Sequence, residues 1–582
     1  MLHFDLKRLI TPVFCGVMIG LTSGLPASAQ MAPILSGTDR FHPVVAQNGM
    51  VASQEAVATG VGVSILERGG NAVDAAIATG FALAVTLPRA GNLGGGGFMM
   101  IHMADKGVTK ALDYREEAPA GADRDMFLDE EGNADSDKSR YSGLAIGVPG
   151  TVAGFAEAYQ RHGSGALTWA ELVAPAIALA EEGVVVTPDL SSSLLARMSR
   201  LASDPAAADI FYKPGPVPYL PGEVLKQTDL AGTLRKIAQE GPAGFYTGDV
   251  AERIAAKVQA AGGSMTAADL AGYSAVWREP VRGTYRGYEI ASMPPPSSGG
   301  THIVQILNML EAYDLRGMGP NSAATIHIMA EAMRRAYADR SKYLGDPDFV
   351  DVPVTGLTDK TYAASLLDSI SLERATPSTE IGPADPLPYE SNETTHFSVM
   401  DKHGNAVSNT YTLNFSYGVG MVADGTGVLL NNELDDFSAK PGVPNAYGLI
   451  GGDANAVEPG KRPLSSMTPT LVLENGAVLL ATGSPGGSRI ITTTLQIILN
   501  VIDHGMNIAE ATAAPRVHHQ WYPDELRIEE GLSPDTIRLL EELGHTVTLK
   551  NVMGSTQSIL KIGGQLTGSS DPRHDGALTA GY

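Results

Sequence analysis

The hydrophobic positions divide the chain into two textures. Residues 53 to 87 are rich in Ala and Val and read as two helices broken at Gly69-Gly70. The second, from Asn71, is apolar on nearly every face, so it belongs in an interior. Gly94-Gly95-Gly96-Gly97 then leads into the apolar run Phe98-Met99-Met100-Ile101, and after a turn at Asp105-Lys106-Gly107 a second run covers Val108 to Tyr114, which together predict a pair of strands. Helical periodicity dominates from about 151 to 375, including Val250 to Ala261 and Ala323 to Tyr343, with a break at Met293-Pro294-Pro295-Pro296. Arg374 to Asn392 is polar and Pro-rich and reads as an exposed linker. From Thr394 the period changes to that of strands: His396 to Met400, Ala406 to Leu413, Gly427 to Leu430, Thr468 to Leu473 and Ala477 to Thr482, with a helix from Ser488 to Ile502 after them. Strands and helices in blocks predict an α+β fold with sheets sandwiched between helices.

Composition narrows the functional classes. The 582 residues are 43% hydrophobic and 18% charged, enough for a large core, and Lys+Arg 41 against Asp+Glu 64 gives a formal charge of −23, which disfavours nucleic acid or an anionic membrane as a partner. At the N-terminus Lys7 and Arg8 precede an apolar run from Leu9 to Leu21 and the small-x-small pattern Ala27-Ser28-Ala29. That is the layout of a secretory signal, predicting a mature protein that starts at Gln30; the run is too short for a comfortable membrane anchor. The single cysteine, Cys15, lies inside this segment, so the mature chain has no means of disulfide formation, thiolate catalysis or cysteine-ligated metal binding.

Most familiar chemistries fail on the residues themselves. The run Gly94–Gly97 lacks the Lys-Ser/Thr of a phosphate loop, and Met99 stands where a dinucleotide fingerprint needs its last glycine; close backbone approach and a plain tight turn both remain open. His518-His519 points to opposite faces of an extended segment and reads as structural, and Asp129 to Asp137 lacks the spacing of a calcium loop. Gly483-Ser484-Pro485-Gly486 does not complete a nucleophile elbow. The remaining candidate is Asn392-Glu393-Thr394-Thr395-His396, where a linker runs into a strand opening with a hydroxyl residue. A cut before Thr394 would place an α-amino group beside its Oγ1, and such an amine, titrating near about 7.7 to 8, can accept the hydroxyl proton. Local sequence alone favours Thr394-Thr395 as ordinary strand formers.

The same stretch, with Gly404 to Val407, Thr410 to Asn414, Asn431 to Ser438, Pro463 to Pro469, Gly483 to Arg489, Asp113 to Pro119 and Ala580-Gly581-Tyr582, resembles the γ-glutamyltransferases (γ-glutamyltranspeptidases) of the N-terminal nucleophile hydrolase superfamily. The resemblance implies a four-layer αββα sandwich and a precursor cut between Glu393 and Thr394, giving a large chain 30–393 and a small chain 394–582 that form one catalytic body. It implies Thr394 as nucleophile, Thr412 as support for its amine and hydroxyl, and Gly486 and Gly487 as amide donors of an oxyanion hole. It further implies Arg115 with Ser465 and Ser466 for a donor's α-carboxylate, Glu433 and Asp436 with Asn414 for its ammonium, and a lid, Pro441 to Gly452, centred on Tyr447. The implied substrates are γ-glutamyl donors such as glutathione and amino acid or dipeptide acceptors; no cofactor and no metal is implied, and the implied location is periplasmic or secreted. A glutaryl or cephalosporin acylase on the same scaffold is the alternative, disfavoured because its acyl group carries no α-ammonium for Glu433 and Asp436 to hold.

Overall fold

The computed structural model describes residues 40–381, 394–445 and 448–582. Two seven-stranded sheets lie face to face. The strands are β1 (Val44–Ala46), β2 (Gly49–Ser53), β3 (Gly96–Met103), β4 (Val108–Tyr114), β5 (Val276–Arg278), β6 (Val281–Tyr285), β7 (Tyr288–Ser292), β8 (Thr395–Asp401), β9 (Ala406–Thr412), β10 (Thr470–Glu474), β11 (Ala477–Thr482), β12 (Gln557–Ile562), β13 (Gln565–Ser570) and β14 (Leu578–Gly581). One sheet runs in the order β1-β13-β12-β11-β10-β7-β6, the other β14-β2-β8-β9-β3-β4-β5. Every neighbouring pair in both is antiparallel.

Helices close the two outer faces, which makes the four layers. Against the second sheet lie α1 (Ala56–Glu67) and α2 (Ala72–Thr86), the pair predicted around Gly69-Gly70. Asn71 starts α2 with a capping box in which its side chain accepts from Val73 and Asp74 amides while Asp74 accepts from Asn71 N–H; all of α2 is buried, as its all-round apolar surface requires. Against the first sheet lie α3 (Gly299–Leu310), α4 (Ala323–Tyr343) and α5 (Arg489–Ile502). Between the sheets Met50, Phe98, Met100 and Met400 meet Leu471, Leu473, Ala481 and Ile559, a dry inner layer of alternate side chains from both.

The helical reading of 151 to 375 missed a hairpin. Val281–Tyr285 and Tyr288–Ser292 are β6 and β7, and Arg286 and Gly287 at the turn have φ of 51° and 88°. Positive φ at both central residues is what a two-residue hairpin needs, so Arg-Gly between alternating runs was the available signal. The terminal strands β1, β2, β12, β13 and β14 were likewise not predicted. The linker reading holds only in part. Thr376 and Ser378 are docked, the Ser378 amide on Asp524 Oδ2 at 2.7 Å and its hydroxyl on the Trp521 carbonyl at 2.5 Å. Residues 382–393, with the expected cut at Glu393, and the signal segment 1–29 lie outside the described residues.

Candidate active site

Thr394 directly precedes β8, and the β8–β9 register sets Thr395 opposite Tyr411, which brings Thr394 to the end of β9 near Thr412. Thr412 in turn pairs with Gly96 on β3. A Cβ on Gly95 would lie 2.0 Å from the Thr412 carbonyl oxygen, and one on Gly94 2.0 Å from that of Leu429. The glycine run therefore serves close backbone approach, the first of its two open readings. Asn92 fastens the same corner, donating to the Thr412 carbonyl at 2.9 Å and accepting from the Gly95 amide at 3.0 Å.

Beyond Thr412 the chain turns through Asn414, a non-glycine residue at φ 71°. Asparagine tolerates this left-handed conformation better than most residues. The Asn414 amide donates to Thr412 Oγ1 at 2.9 Å, and its side chain donates to the Asn432 carbonyl at 2.9 Å. Asn431 accepts from the Glu433 amide at 3.0 Å, and these bonds seat the short 3-10 turn Glu433–Asp436. From the other side Arg115 emerges one residue past β4. It is completely buried, and it donates through Nη1 to Glu433, through Nη2 to Asp436 at 2.5 Å and through Nε to the Pro463 carbonyl at 3.2 Å. The cationic and anionic groups expected to hold a donor's carboxylate and ammonium are thus paired with each other.

Ser465 and Ser466 are held by the Pro-rich break. The Ser465 amide donates to the Pro296 carbonyl at 2.8 Å, and Ser298 donates from both its amide and its hydroxyl to the Ser465 carbonyl, each at 2.8 Å. Ser465 Oγ accepts from the Met467 amide at 3.1 Å, and Ser466 Oγ accepts from Arg340 Nη2 at 3.4 Å. Because a hydroxyl that accepts keeps its own proton to give, both serines are set as donors, the polarity a bound carboxylate needs. Gly486 (φ 131°) and Gly487 (φ 57°) adopt left-handed backbone ahead of α5, and among the described residues neither amide finds an acceptor.

These groups line one pocket of about 300 Å³ including its mouth: Arg115, Thr394, Thr412, Asn414, Glu433, Asp436, Ser465, Ser466 and Gly487. Gly486 lines a second cavity on the other side of Thr394. Tyr447 lies outside the described residues, but its loop neighbour Leu449 lines the pocket. Sequence reasoning missed Leu449, Met467, Ile490 and Arg340. Leu449 lies within the expected lid and Met467 within the motif Pro463 to Pro469, whereas Ile490 is an ordinary apolar residue and Arg340 sits in the last turn of a helix far from every motif, so these two carried no local signal. Burial raises the carboxyls of Glu433 and Asp436 against the opposing pull of Arg115, and it pushes Glu116, behind them, to about 7.

Comparison with known proteins decides the family. The family model described as Gamma-glutamyltranspeptidase matches residues 58–581. The chain belongs to the gamma-glutamyltranspeptidase family. It is 58% identical over 562 residues to the glutathione hydrolase proenzyme of Escherichia coli (strain K12), covering 96% of each chain. Among solved structures the cephalosporin acylase from Bacillus halodurans superposes with a TM-score of 0.81 at 29% identity, over 96% of this chain and 99% of that one. The Helicobacter pylori gamma-glutamyltranspeptidase gives 0.56 at 46% identity, over 60% of this chain and 97% of that one. The other candidates have structural partners: His518 bonds Thr492 and Gln520, and His519 bonds Arg334 and Asp524. Among the described residues no group of three or more His, Cys, Asp or Glu is placed to hold a metal ion.

Proposed function

We propose that the protein is a self-processing γ-glutamyltransferase and glutathione hydrolase with Thr394 as its nucleophile. The observation that supports this most strongly is the single pocket in which Thr394 meets an arginine, two serine hydroxyls set as donors, and two carboxylates. A γ-glutamyl group carries a carboxylate and an ammonium on one carbon, and burying either unpaired is costly, so a pocket for it needs both signs at close range. Maturation begins when Thr394 Oγ1 attacks the Glu393 carbonyl; the acyl group moves from N to O, and water hydrolyses the ester, leaving a Glu393 carboxylate and a Thr394 amine. In turnover that amine takes the Oγ1 proton as Oγ1 attacks the donor's γ-carbonyl, and the amides of Gly486 and Gly487 receive the developing negative charge. The leaving amine departs with the proton, and water or an acceptor amine releases the γ-glutamyl group from Thr394. Thr412, held by the Asn414 amide, keeps its hydroxyl beside the reacting groups.

The likeness to a cephalosporin acylase makes a glutaryl donor the relevant rival. Purified protein should cleave γ-glutamyl-p-nitroanilide and leave glutaryl-p-nitroanilide nearly untouched; the reverse preference would overturn the reading. In the same preparation, Thr394→Ala should remain one chain with no activity on either, whereas a Thr394→Ala protein that still splits after Glu393 removes Thr394 from maturation. Export to the periplasm or medium, with residues 1–29 removed, rests on the N-terminal signal pattern. Among the described residues no helix is long and apolar enough to cross a membrane. A large-chain mass starting anywhere other than Gln30 would refute that boundary.

A further inference from the structure

Arg340 occupies the last turn of α4, is 4% exposed and lines the pocket beside Thr394. Its Nε donates to Ser298 Oγ at 3.1 Å and its Nη2 to Ser466 Oγ at 3.4 Å. Arg115, Arg334, Arg335, Arg462 and Arg516 are comparably buried, and each lies within 4.0 Å of a carboxylate oxygen; Arg340 lies that close to none among the described residues. Its Nη1 has no partner among them either. Two hydroxyls can be bridged as well by a neutral amide, so hydrogen bonding alone does not account for a cation here.

The carboxylate whose charge reaches Arg340 is Asp436, and it bonds Arg115 rather than Arg340. Glu433 and Asp436 both bond Arg115, so Arg340 is the pocket arginine that no carboxylate of the described residues bonds. We propose that Arg340 is a second recognition group for the donor's α-carboxylate, supplying positive charge directly from Nη1 and fixing Ser466 so that its hydroxyl proton faces the ligand. This rests on the γ-glutamyl reading above and adds to it the residue that selects for the carboxylate. Arg115 and Arg340 then face the donor's carboxylate, and Glu433 and Asp436 its ammonium. Burial lowers Arg340 to about 10, which leaves it protonated at neutral pH.

The test uses three p-nitroanilides. The γ-glutamyl donor has both charged groups, the glutaryl donor lacks the ammonium, and the 4-aminobutyryl donor lacks the carboxylate. Arg340→Gln should raise KM for the γ-glutamyl donor by about tenfold or more, the range of one lost charge-assisted hydrogen bond, with kcat changed less than about threefold. Relative to the parent protein, the rate on glutaryl anilide should fall in the same proportion, while the rate on 4-aminobutyryl anilide should hold. Equal losses on all three donors, or an unchanged KM, would overturn the inference. If Arg340→Gln does not mature into two chains, Arg340→Lys is read on the same donors and should give an intermediate rise in KM confined to those with a carboxylate. Failure of both variants to fold would assign Arg340 to the scaffold alone. Inactivity of the parent protein on the γ-glutamyl donor would instead sink the functional reading.

Discussion

Arg115, Glu433 and Asp436 form one buried ionic cluster, and under the proposed function a donor's ammonium would take the two carboxylates. Each carboxyl is raised by burial, so each gains a proton at higher pH than an exposed carboxyl does. Only the ionised forms can hold a donor's ammonium. As pH falls, kcat/KM for a γ-glutamyl donor should therefore begin to drop above the ordinary carboxylate range. It should also drop on the same side as the Thr394 amine, near about 7.7 to 8 when unperturbed, becomes protonated. Asp436→Asn should remove part of the first effect and leave the second, so its pH profile should be flatter in the carboxyl region. Identical profiles for parent and variant would exclude Asp436 from contact with the ammonium.

The element that carries Thr394 is braced by a histidine two residues along β8. His396 is buried, with Nδ1 2.8 Å from Thr410 Oγ1 and Nε2 3.1 Å from Ser398 Oγ, and a Cβ on Gly483 would lie 2.4 Å from its ring. The ring thus fills the space left by the glycine that follows β11 and leads to Gly486-Gly487, tying the strand after Thr394 to that segment. Burial lowers its pKa to about 3. The unfolded chain takes up a proton below about 6.5 that the folded chain refuses, so this site costs stability as pH falls from there, by about 2 kcal/mol at about pH 5. His396→Gln lacks this titration. It should be less stable than the parent in denaturant melts near about pH 8, and the gap should narrow by about 2 kcal/mol toward about pH 5. A gap that does not change with pH would show that the ring is protonated in the fold.

For the whole molecule, the sheet order makes the proposed cut mechanically harmless. In the second sheet β8 and β9 lie between β2 and β3, and in the first β10 to β13 lie between β7 and β1, so strands from before and after residue 394 are interleaved in both. Matured protein should run as a single species somewhat below 60.8 kDa on gel filtration without denaturant and as two bands after denaturation. Separate elution of the two chains would contradict a shared core. The interleaving also explains what was legible beforehand. Periodicity located α1, α2, α4, β4 and β11 because each is specified by which of its faces is apolar, a property of neighbouring residues in the chain. The family was legible because motif order is linear information, and the same motifs carry the proposed roles of Thr394, Arg115, Asp436 and Ser466. Tertiary structure alone decided that Arg115 is paired with the acidic residues, and that the Met467 amide and Arg340 set the direction of the serine hydroxyls. It also decided that the Pro-rich break seats the pocket and that β6 and β7 form the sheet edge beside β10. Each of these depends on distances between residues far apart in sequence, which are fixed only when the two sheets close on their common core.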